Sequence, residues 1–286
     1  MGDIHNNSKI STDSNVDDFH LRISKNQSSI HIIGNSGWIS YKNITNCTGQ
    51  GTYSDPYVIE DLVFNRSAYD YCIFIENSNV YFRIENCKIS NAEMDTEFEP
   101  NYWEGGGIVL TNVNNVQLIN NTCSRNTYGI LLYYSNNNTI LGNNVSNNYG
   151  YDFYWEETGI ILSSSSYNNL TRNILYNNNR DVIRLSSSHH NLIVENIISI
   201  DYNTRFPWIP TLLVLRESNY NTIVRNNFIS KGDALCWSED ACIGNVFKNN
   251  FCYIERLNNS IAFFLIFLTG ISLFVTLIML ITKKKK

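Results

Sequence analysis

The chain has 286 residues, with 21 Lys+Arg against 26 Asp+Glu and a formal net charge of −5. Charged residues make up only 16 %, which excludes a disordered polyelectrolyte and a basic nucleic-acid binder. Asparagine is in excess, with 44 residues or about 15 % of the chain. Asparagine disfavours helices and strand interiors but tolerates the left-handed backbone of tight turns. The composition therefore excludes a helical bundle and argues against a doubly wound α/β enzyme.

The first 57 residues are predicted to precede the main domain. Residues 1–28 are polar and rich in Asn, Ser and Asp, so we expect a disordered segment. Residues 1–25 contain no apolar signal-peptide core. The Asn-x-Ser/Thr sequons indicate an extracellular domain, so we expect an incomplete or misassigned start at Met1. The alternative is a tail-anchored protein that faces the cytosol. Residues 29–57 are predicted to form an N-terminal cap, with Trp38 and Tyr41 covering the first coil of a repeat domain.

A repeat of 22–23 residues, lengthened to 30 in alternate copies, occupies residues 58–257. An apolar residue followed three positions later by asparagine recurs, weakly at Asn86 and then at Asn121, Asn143, Asn173, Asn196, Asn226 and Asn249. A short apolar run precedes most copies, as in the Gly-Ile-Leu-Leu that begins at Gly129. Short β-branched strands separated by Asn, Ser and Gly corners predict an all-β, right-handed parallel β-helix of about seven coils. We expect no helix in the part of the chain outside the membrane, about residues 29–257.

The predicted coil makes a specific statement about the side-chain directions of Ile140 and Asn138. We expect Ile140 to point into the solenoid, and Asn138 to lie at a corner facing water or a neighbouring amide. Corner asparagines are predicted to adopt the left-handed conformation while their amides bond to the next coil.

The repeat and its entry sequence resemble a known family. The coil pattern GIxLxxSxxNxIxxN is similar to that of NosD-like periplasmic copper-binding proteins and of the wider group of carbohydrate-binding and sugar-hydrolysing β-helices. Residues 51–60, GTYSDPYVIE, resemble the entry that precedes the first coil there. The resemblance covers about residues 30–255. It implies the fold but not an activity, since lyases, hydrolases, epimerases and binders share this fold.

Three longer stretches, at about 91–105, 148–158 and 200–211, are predicted to leave the solenoid from one corner on alternate coils. They are rich in aromatic and acidic residues, which suit a sugar because rings stack on its C–H face while its hydroxyls accept and donate hydrogen bonds. The ligand-binding candidates are Trp103, Tyr151, Asp152, Tyr154, Trp155, Glu156, Glu157 and Trp208. The alternative is that these rings pack the stretches onto the solenoid wall.

Catalytic and metal-binding interpretations have less support. Asp152, Glu156 and Glu157 are candidate acid–base groups, but adjacent loop residues fix no separation. Arg180, Asp181 and Arg184 resemble a lyase site only loosely and are predicted to be a solvated ion pair. His189 and His190 are predicted to be a polar corner rather than a copper site. We expect no cofactor and no metal.

Seven cysteines show no CxxC spacing, which argues against zinc. Cys236 and Cys242 enclose a short loop and are the candidate disulfide, while Cys87 and Cys123 are as well explained as buried core residues.

Residues 261–282 carry no charge and are long enough to span a bilayer as a helix, so we predict a transmembrane segment. The four lysines at 283–286 would then form a cytoplasmic tail, leaving the β-helix outside. The prediction is a single-pass cell-membrane protein whose extracellular β-helix binds a polysaccharide or surface glycan. A polysaccharide lyase or glycoside hydrolase, and a NosD-like accessory protein for metal-centre assembly, are the alternatives.

Overall fold

Three sheets of parallel strands form the molecule. A computed structural model describes residues 28–45, 47–66, 71–93, 105–149, 158–178, 180–201, 210–232 and 234–255, together with the backbone of residues 263–264. Sheet 1 has eight strands. They are β1 (Ile30–Ile33), β4 (Ile73–Ser78), β7 (Gly106–Val113), β10 (Tyr128–Tyr133), β13 (Thr158–Ser163), β16 (Asp181–Ser186), β19 (Thr211–Arg216) and β22 (Leu235–Asp240).

Sheets 2 and 3 repeat the same stacking with shorter strands. Sheet 2 contains β2 (Tyr57–Glu60), β5 (Phe82–Glu85), β8 (Val116–Ile119), β11 (Thr139–Leu141), β14 (Asn169–Thr171), β17 (Leu192–Val194), β20 (Thr222–Val224) and β23 (Val246–Lys248). Sheet 3 contains β3 (Val63–Asn65), β6 (Lys88–Ser90), β9 (Thr122–Ser124), β12 (Asn144–Ser146), β15 (Ile174–Tyr176), β18 (Ile197–Asp201), β21 (Asn227–Lys231), β24 (Phe251–Glu255) and β25 (Phe263–Phe264). The last pairing, between β24 and β25, is antiparallel.

One strand from each sheet makes a coil, and the described residues form eight coils. Each strand pairs in parallel with the equivalent strands of the coils before and after it, so the predicted parallel β-helix is confirmed. The first coil begins earlier than the predicted residue 58. The strand Ile30–Ile33 pairs with β4, so part of the predicted cap belongs to sheet 1.

The interior is filled by rows, a row being the residues that occupy one position in successive coils. In sheet 1, Ile130 stacks between Ile108 and Ile160. In sheet 2, Ile140 stacks between Leu118 and Leu170 and is fully buried, which confirms its predicted inward direction. A single strand cannot bury such residues by itself, but stacked coils exclude water from all of them.

Buried asparagine side chains connect consecutive coils at the corners. At the corner between sheets 2 and 3, the Asn196 Oδ1 accepts from the backbone N–H and the Nδ2 of Asn173, at 2.8 and 2.9 Å. The Asn196 Nδ2 donates to the Leu170 carbonyl and to the Asn226 Oδ1, both at 2.9 Å. We call this row the asparagine ladder; it comprises Asn121, Asn143, Asn173, Asn196, Asn226 and Asn250.

Both ends of the repeat are shifted by one residue from the predicted register. The ladder uses Asn250 rather than Asn249, and its position in the second coil is held by Cys87, not Asn86. Asn86 and Asn249 instead have positive φ, because the left-handed residue directly precedes each ladder position. The prediction that the bonding asparagines are themselves left-handed is therefore wrong for the ladder, whereas Asn77 and Asn112 have positive φ and bond to each other across consecutive coils.

Asn138 is also more than a surface corner residue. It is 1 % exposed, its Oδ1 accepts from the Val116 N–H at 3.0 Å, and its Nδ2 donates to the Val113 carbonyl at 3.1 Å. Because its side chain satisfies backbone groups of the preceding coil that water does not reach, the expectation that Asn138 faces water is wrong. Its own backbone N–H donates to the Asn168 Oδ1 at 2.9 Å.

A short helix, α1 (Gly34–Ile44), follows β1 and differs from the predicted absence of helices. Its Trp38 is fully buried, lies parallel to the Tyr57 ring at 5.1 Å, and donates from Nε1 to the Ser78 Oγ at 3.1 Å. Trp38 thus packs against the interior of the solenoid at its N-terminal end.

The disulfide joins Cys236 to Cys252, not to Cys242 as predicted. Cys236 on β22 and Cys252 on β24 both point into the last coil, where their Cα atoms are 6.1 Å apart. Cys242 instead takes the corner position that Ser218 holds one coil earlier, and its Sγ accepts from the Ser218 N–H at 3.4 Å. Cys87 and Cys123 are buried thiols, and burial raises the pKa of Cys87 to about 11.

We expect peptide mapping of the unreduced protein to recover Cys236 linked to Cys252, with Cys242 free to be alkylated after unfolding. Cys252→Ser should lower the free energy of unfolding by about 3 kcal/mol, because the bond closes a short loop in the unfolded chain. Cys242→Ser is the matched control and should change it little, since serine already holds this corner in other coils. A peptide joining Cys236 to Cys242 would contradict the pairing.

Among the described residues, no helix is long and apolar enough to cross a membrane. The predicted transmembrane segment 261–282 lies outside the described residues except for the backbone of Phe263–Phe264, which pairs with β24. The predicted disordered segment 1–28 and basic tail 283–286 also lie outside them, apart from residue 28.

Candidate functional site

The corner between sheets 3 and 1 carries connections of two lengths. Short connections lead into β10, β16 and β22, and residues 125–127 are one of them. Long connections lead into β7, β13 and β19, and they occupy residues 91–105, 147–157 and 202–210. The first residues of these strands are in register, so the long connections return to sheet 1 on every second coil, about 10 Å apart. This is the corner and the alternation that the repeat spacing predicted.

The predicted ligand-binding residues belong to these long connections. Trp103, Tyr151, Asp152, Tyr154, Trp155, Glu156, Glu157 and Trp208 all lie outside the described residues, so the arrangement of their side chains stays a prediction. The strands that flank them fix where the connections begin and end: Ser90 and Gly106, Ser146 and Thr158, and Asp201 and Thr211.

The outward face of sheet 1 adjoins this corner and is buried over several coils. One outward row contains Phe74, Val109, Leu131 and Ile161, which with Tyr128 form a second apolar cluster outside the solenoid. Outward residues of a solenoid normally face water and are polar. The buried apolar row therefore distinguishes the outward face of sheet 1 from an ordinary, water-exposed outward face.

Asp181 and Arg184 form an ion pair on the same face. Arg184 follows Ile161 in the outward row, and its Nε and Nη2 both donate to the Asp181 Oδ2, the Nε at 2.9 Å. Arg184 is 1 % exposed and Asp181 is 5 % exposed. The expectation of a solvated ion pair is therefore wrong. Sequence alone could not show this, because the outward face of a β-helix is ordinarily wet.

Burial shifts the pKa of both side chains of the ion pair. It raises the pKa of Asp181 to about 6, although the positive charges of Arg180 and Arg216 act in the opposite direction. It lowers the pKa of Arg184 to about 10, and the charge of Arg216 adds to that effect. Both partners are therefore ionised at neutral pH. Removing either partner of a buried ion pair is strongly destabilising, because the remaining charge is then buried without compensation.

The two histidines form a polar corner, as predicted. The His189 N–H donates to the Ser166 Oγ at 3.0 Å, and its Nδ1 accepts from the Asn219 N–H at 3.1 Å. The His190 ring lies between Tyr167 and Tyr220, nearly parallel to both, with centroids 5.0 and 5.3 Å away.

The three stacked sheets and the connections of alternating length define a parallel β-helix solenoid protein. A family model described as periplasmic copper-binding protein (NosD) matches residues 94–239, just over half of the chain. The chain belongs to the NosD family, which confirms the resemblance seen in the coil pattern. No curated protein matches it.

Solved structures of similar fold include sugar-modifying enzymes. A variant of the periplasmic alginate epimerase AlgG has a TM-score of 0.52 at 17 % identity, over 68 % of this chain and 45 % of that one. Pectate lyase Pel9A has a TM-score of 0.47 at 12 % identity, over 79 % and 80 %. The mannuronan C-5 epimerase AlgE6 A-module of Azotobacter vinelandii has a TM-score of 0.43 at 12 % identity, over 69 % and 66 %. The chain thus spans less than half of the alginate epimerase, and the likeness shows the fold alone.

The family description raises the question of copper. Among the described residues no three His, Cys, Asp or Glu side chains converge as a metal site. His189 and His190 are engaged as described, and the three methionines, Met1, Met94 and Met279, lie outside the described residues. The described residues therefore do not fit a copper centre, which requires clustered His, Cys or Met.

Proposed function

We propose that the chain is a membrane-anchored, extracellular β-helix that binds a polysaccharide at the corner between sheets 3 and 1. The observation that carries this proposal is the return of three long connections to one edge of sheet 1 on alternate coils. The three connections reach sheet 1 within about 20 Å along the solenoid axis, and their sequences contain Trp103, Trp155 and Trp208. Aromatic residues on connections with that spacing suit a chain of sugar rings.

Three further observations support the location and the ligand class. The family is described as periplasmic, and an alginate epimerase has a similar fold. Residues 261–282 are uncharged and are followed by four lysines, which favours a membrane anchor with the β-helix outside. Catalysis is not part of the proposal: Asp181, a carboxyl group at the start of β16 beside this corner, is buried against Arg184.

The proposal predicts which tryptophans affect binding. With a panel of alginate, polygalacturonate, xylan and dextran, we expect Trp103→Ala, Trp155→Ala and Trp208→Ala each to weaken binding of the same polysaccharide by about fivefold, from one lost stacking contact. Tyr53→Ala is the control, since Tyr53 is an exposed aromatic residue far from this corner. The measurement is affinity electrophoresis together with a melting curve for each variant.

A connection swap tests the corner itself. Residues 147–157 are replaced by Arg-Asn-Thr, the sequence of the short connection at 125–127, which keeps both the left-handed residue and the buried asparagine of that corner. We expect a cooperative fold that no longer binds. Polysaccharide binding equal to that of the unaltered chain, or no binding to any member of the panel, would overturn the proposal.

A further inference from the structure

The last coil, formed by β22, β23 and β24, carries large apolar residues at outward positions that are polar one coil earlier. Leu235 follows Thr211 in its row, Val246 follows Thr222, and Phe251 follows Asn227. At the corner between sheets 1 and 2, the backbone of Ile243 bonds to the side chain of Asn219, the residue that precedes it in its row. The four side chains, Leu235, Ile243, Val246 and Phe251, are between 47 and 66 % exposed. We call them the apolar collar.

The collar surrounds the solenoid rather than marking one side of it. Leu235 belongs to sheet 1, Val246 to sheet 2 and Phe251 to sheet 3, while Ile243 lies at the corner between the first two sheets. A site for a protein partner usually occupies a single patch. Apolar groups on every side at one height along the axis instead suit a planar boundary that the solenoid meets end-on.

The uncharged stretch 261–282 begins beside this coil. Glu255 ends β24, and the backbone of Phe263–Phe264, inside the stretch, pairs with the same strand. If the remainder of the stretch crosses a bilayer, the last coil is therefore the part of the described solenoid held nearest to the lipid.

We propose that the apolar collar lies in the interfacial layer of the membrane and holds the solenoid axis close to the membrane normal. This inference rests on the proposed membrane anchor. One coil is about 5 Å tall, which matches the 5–10 Å depth to which interfacial apolar groups enter a bilayer. The axial orientation would present the corner between sheets 3 and 1 sideways, in reach of glycans on the same or a neighbouring surface.

The charges of the same coil identify the kind of lipid surface. Glu239, Asp240 and Glu255 are acidic and Lys248 is basic, and all four are exposed. A coil with more acidic than basic groups gains nothing from anionic lipids, so the contact is with the apolar part of a zwitterionic interface, towards whose phosphates the Lys248 ammonium extends.

Photo-crosslinking of the full chain in phosphatidylcholine vesicles tests the inference. The photoreactive p-benzoylphenylalanine replaces Ser238, which faces outward on the last coil, or Asn144, which is exposed four coils earlier. Vesicle flotation first establishes whether the chain is anchored. We expect lipid adducts at position 238 in about fivefold excess over position 144, because only the last coil reaches the interface.

A matched set of substitutions isolates the collar. Leu235→Thr, Ile243→Asn, Val246→Thr and Phe251→Asn give each position the residue found one coil earlier, and together they should reduce lipid adducts at position 238 by about fivefold without loss of flotation. The control combines Ile174→Asn, Leu192→Thr and Ile197→Asn, which remove exposed apolar groups from earlier coils, and it should leave those adducts unchanged.

The outcomes separate the two proposals. Failure to float overturns the membrane anchor and this inference with it. Flotation with equal lipid adducts at positions 238 and 144 overturns the inference alone. So does crosslinking from position 238 to a second copy, which would indicate end-to-end association, or to residues 256–286 of the same chain, which would indicate that the tail covers the collar.

Discussion

Asn196→Ala should lower the free energy of unfolding by about 3–5 kcal/mol, although it removes only a small polar side chain. The substitution leaves the Asn173 N–H and the Leu170 carbonyl without their partner inside the solenoid, and it removes one bond each from the amides of Asn173 and Asn226. Each buried group that loses its partner costs about 1–3 kcal/mol. Urea unfolding followed by circular dichroism measures the effect.

Asn227→Ala is the matched control, because Asn227 is the next residue after a ladder position but lies on the exposed outer face of sheet 3. It should change stability by less than about 0.5 kcal/mol. Asn196→Asp separates the two halves of the amide, since a carboxylate keeps the acceptor but cannot donate to Leu170. Similar stabilities for Asn196→Ala and Asn227→Ala would show that the ladder contributes little.

The second large effect concerns the buried ion pair. Asp181→Thr and Arg184→Ile introduce the residues that the preceding coil carries at the same positions, Thr158 and Ile161. Each single change should cost about 3–5 kcal/mol, because it leaves the opposite charge buried without its partner. The double variant should be within about 1 kcal/mol of the unaltered chain, since a threonine–isoleucine pair carries no charge to desolvate. Costs that simply add would mean that the two side chains are stabilised by other groups.

The repeat itself was readable because its signal is periodic. Ile140, Leu170 and Ile193 are each followed by an asparagine three positions later. In the structure the three apolar residues form one interior row, and the three asparagines belong to the asparagine ladder. The same periodicity located the corner with long connections. Register failed only at the ends. At Asn249 two adjacent asparagines compete for the ladder position, and at Asn86 the position is held by Cys87, which lacks the amide that marks it elsewhere. A slip by one residue reverses the direction of the side chain.

Features that depend on tertiary contacts were not readable. The segment of α1 contains Gly34 and Gly37 and has neither a side-chain cap nor an acidic first turn, so its local preference for a helix is weak. Burial of Trp38 accompanies the helix instead. Likewise, nothing local distinguishes Asn138, which bonds to buried backbone groups, from an exposed asparagine, or the buried Asp181 from a solvated one.

The asparagine ladder also restricts how the chain can change in length. Each amide bonds only to the coils directly before and after its own, so any coil that carries the ladder residue can follow any other. Duplicating or deleting one whole repeat would preserve every one of these bonds, whereas inserting a single residue into a strand would reverse its inward and outward side chains. Evolution can therefore lengthen this protein in steps of one coil, and each such step would change the distance between the long connections by about 5 Å.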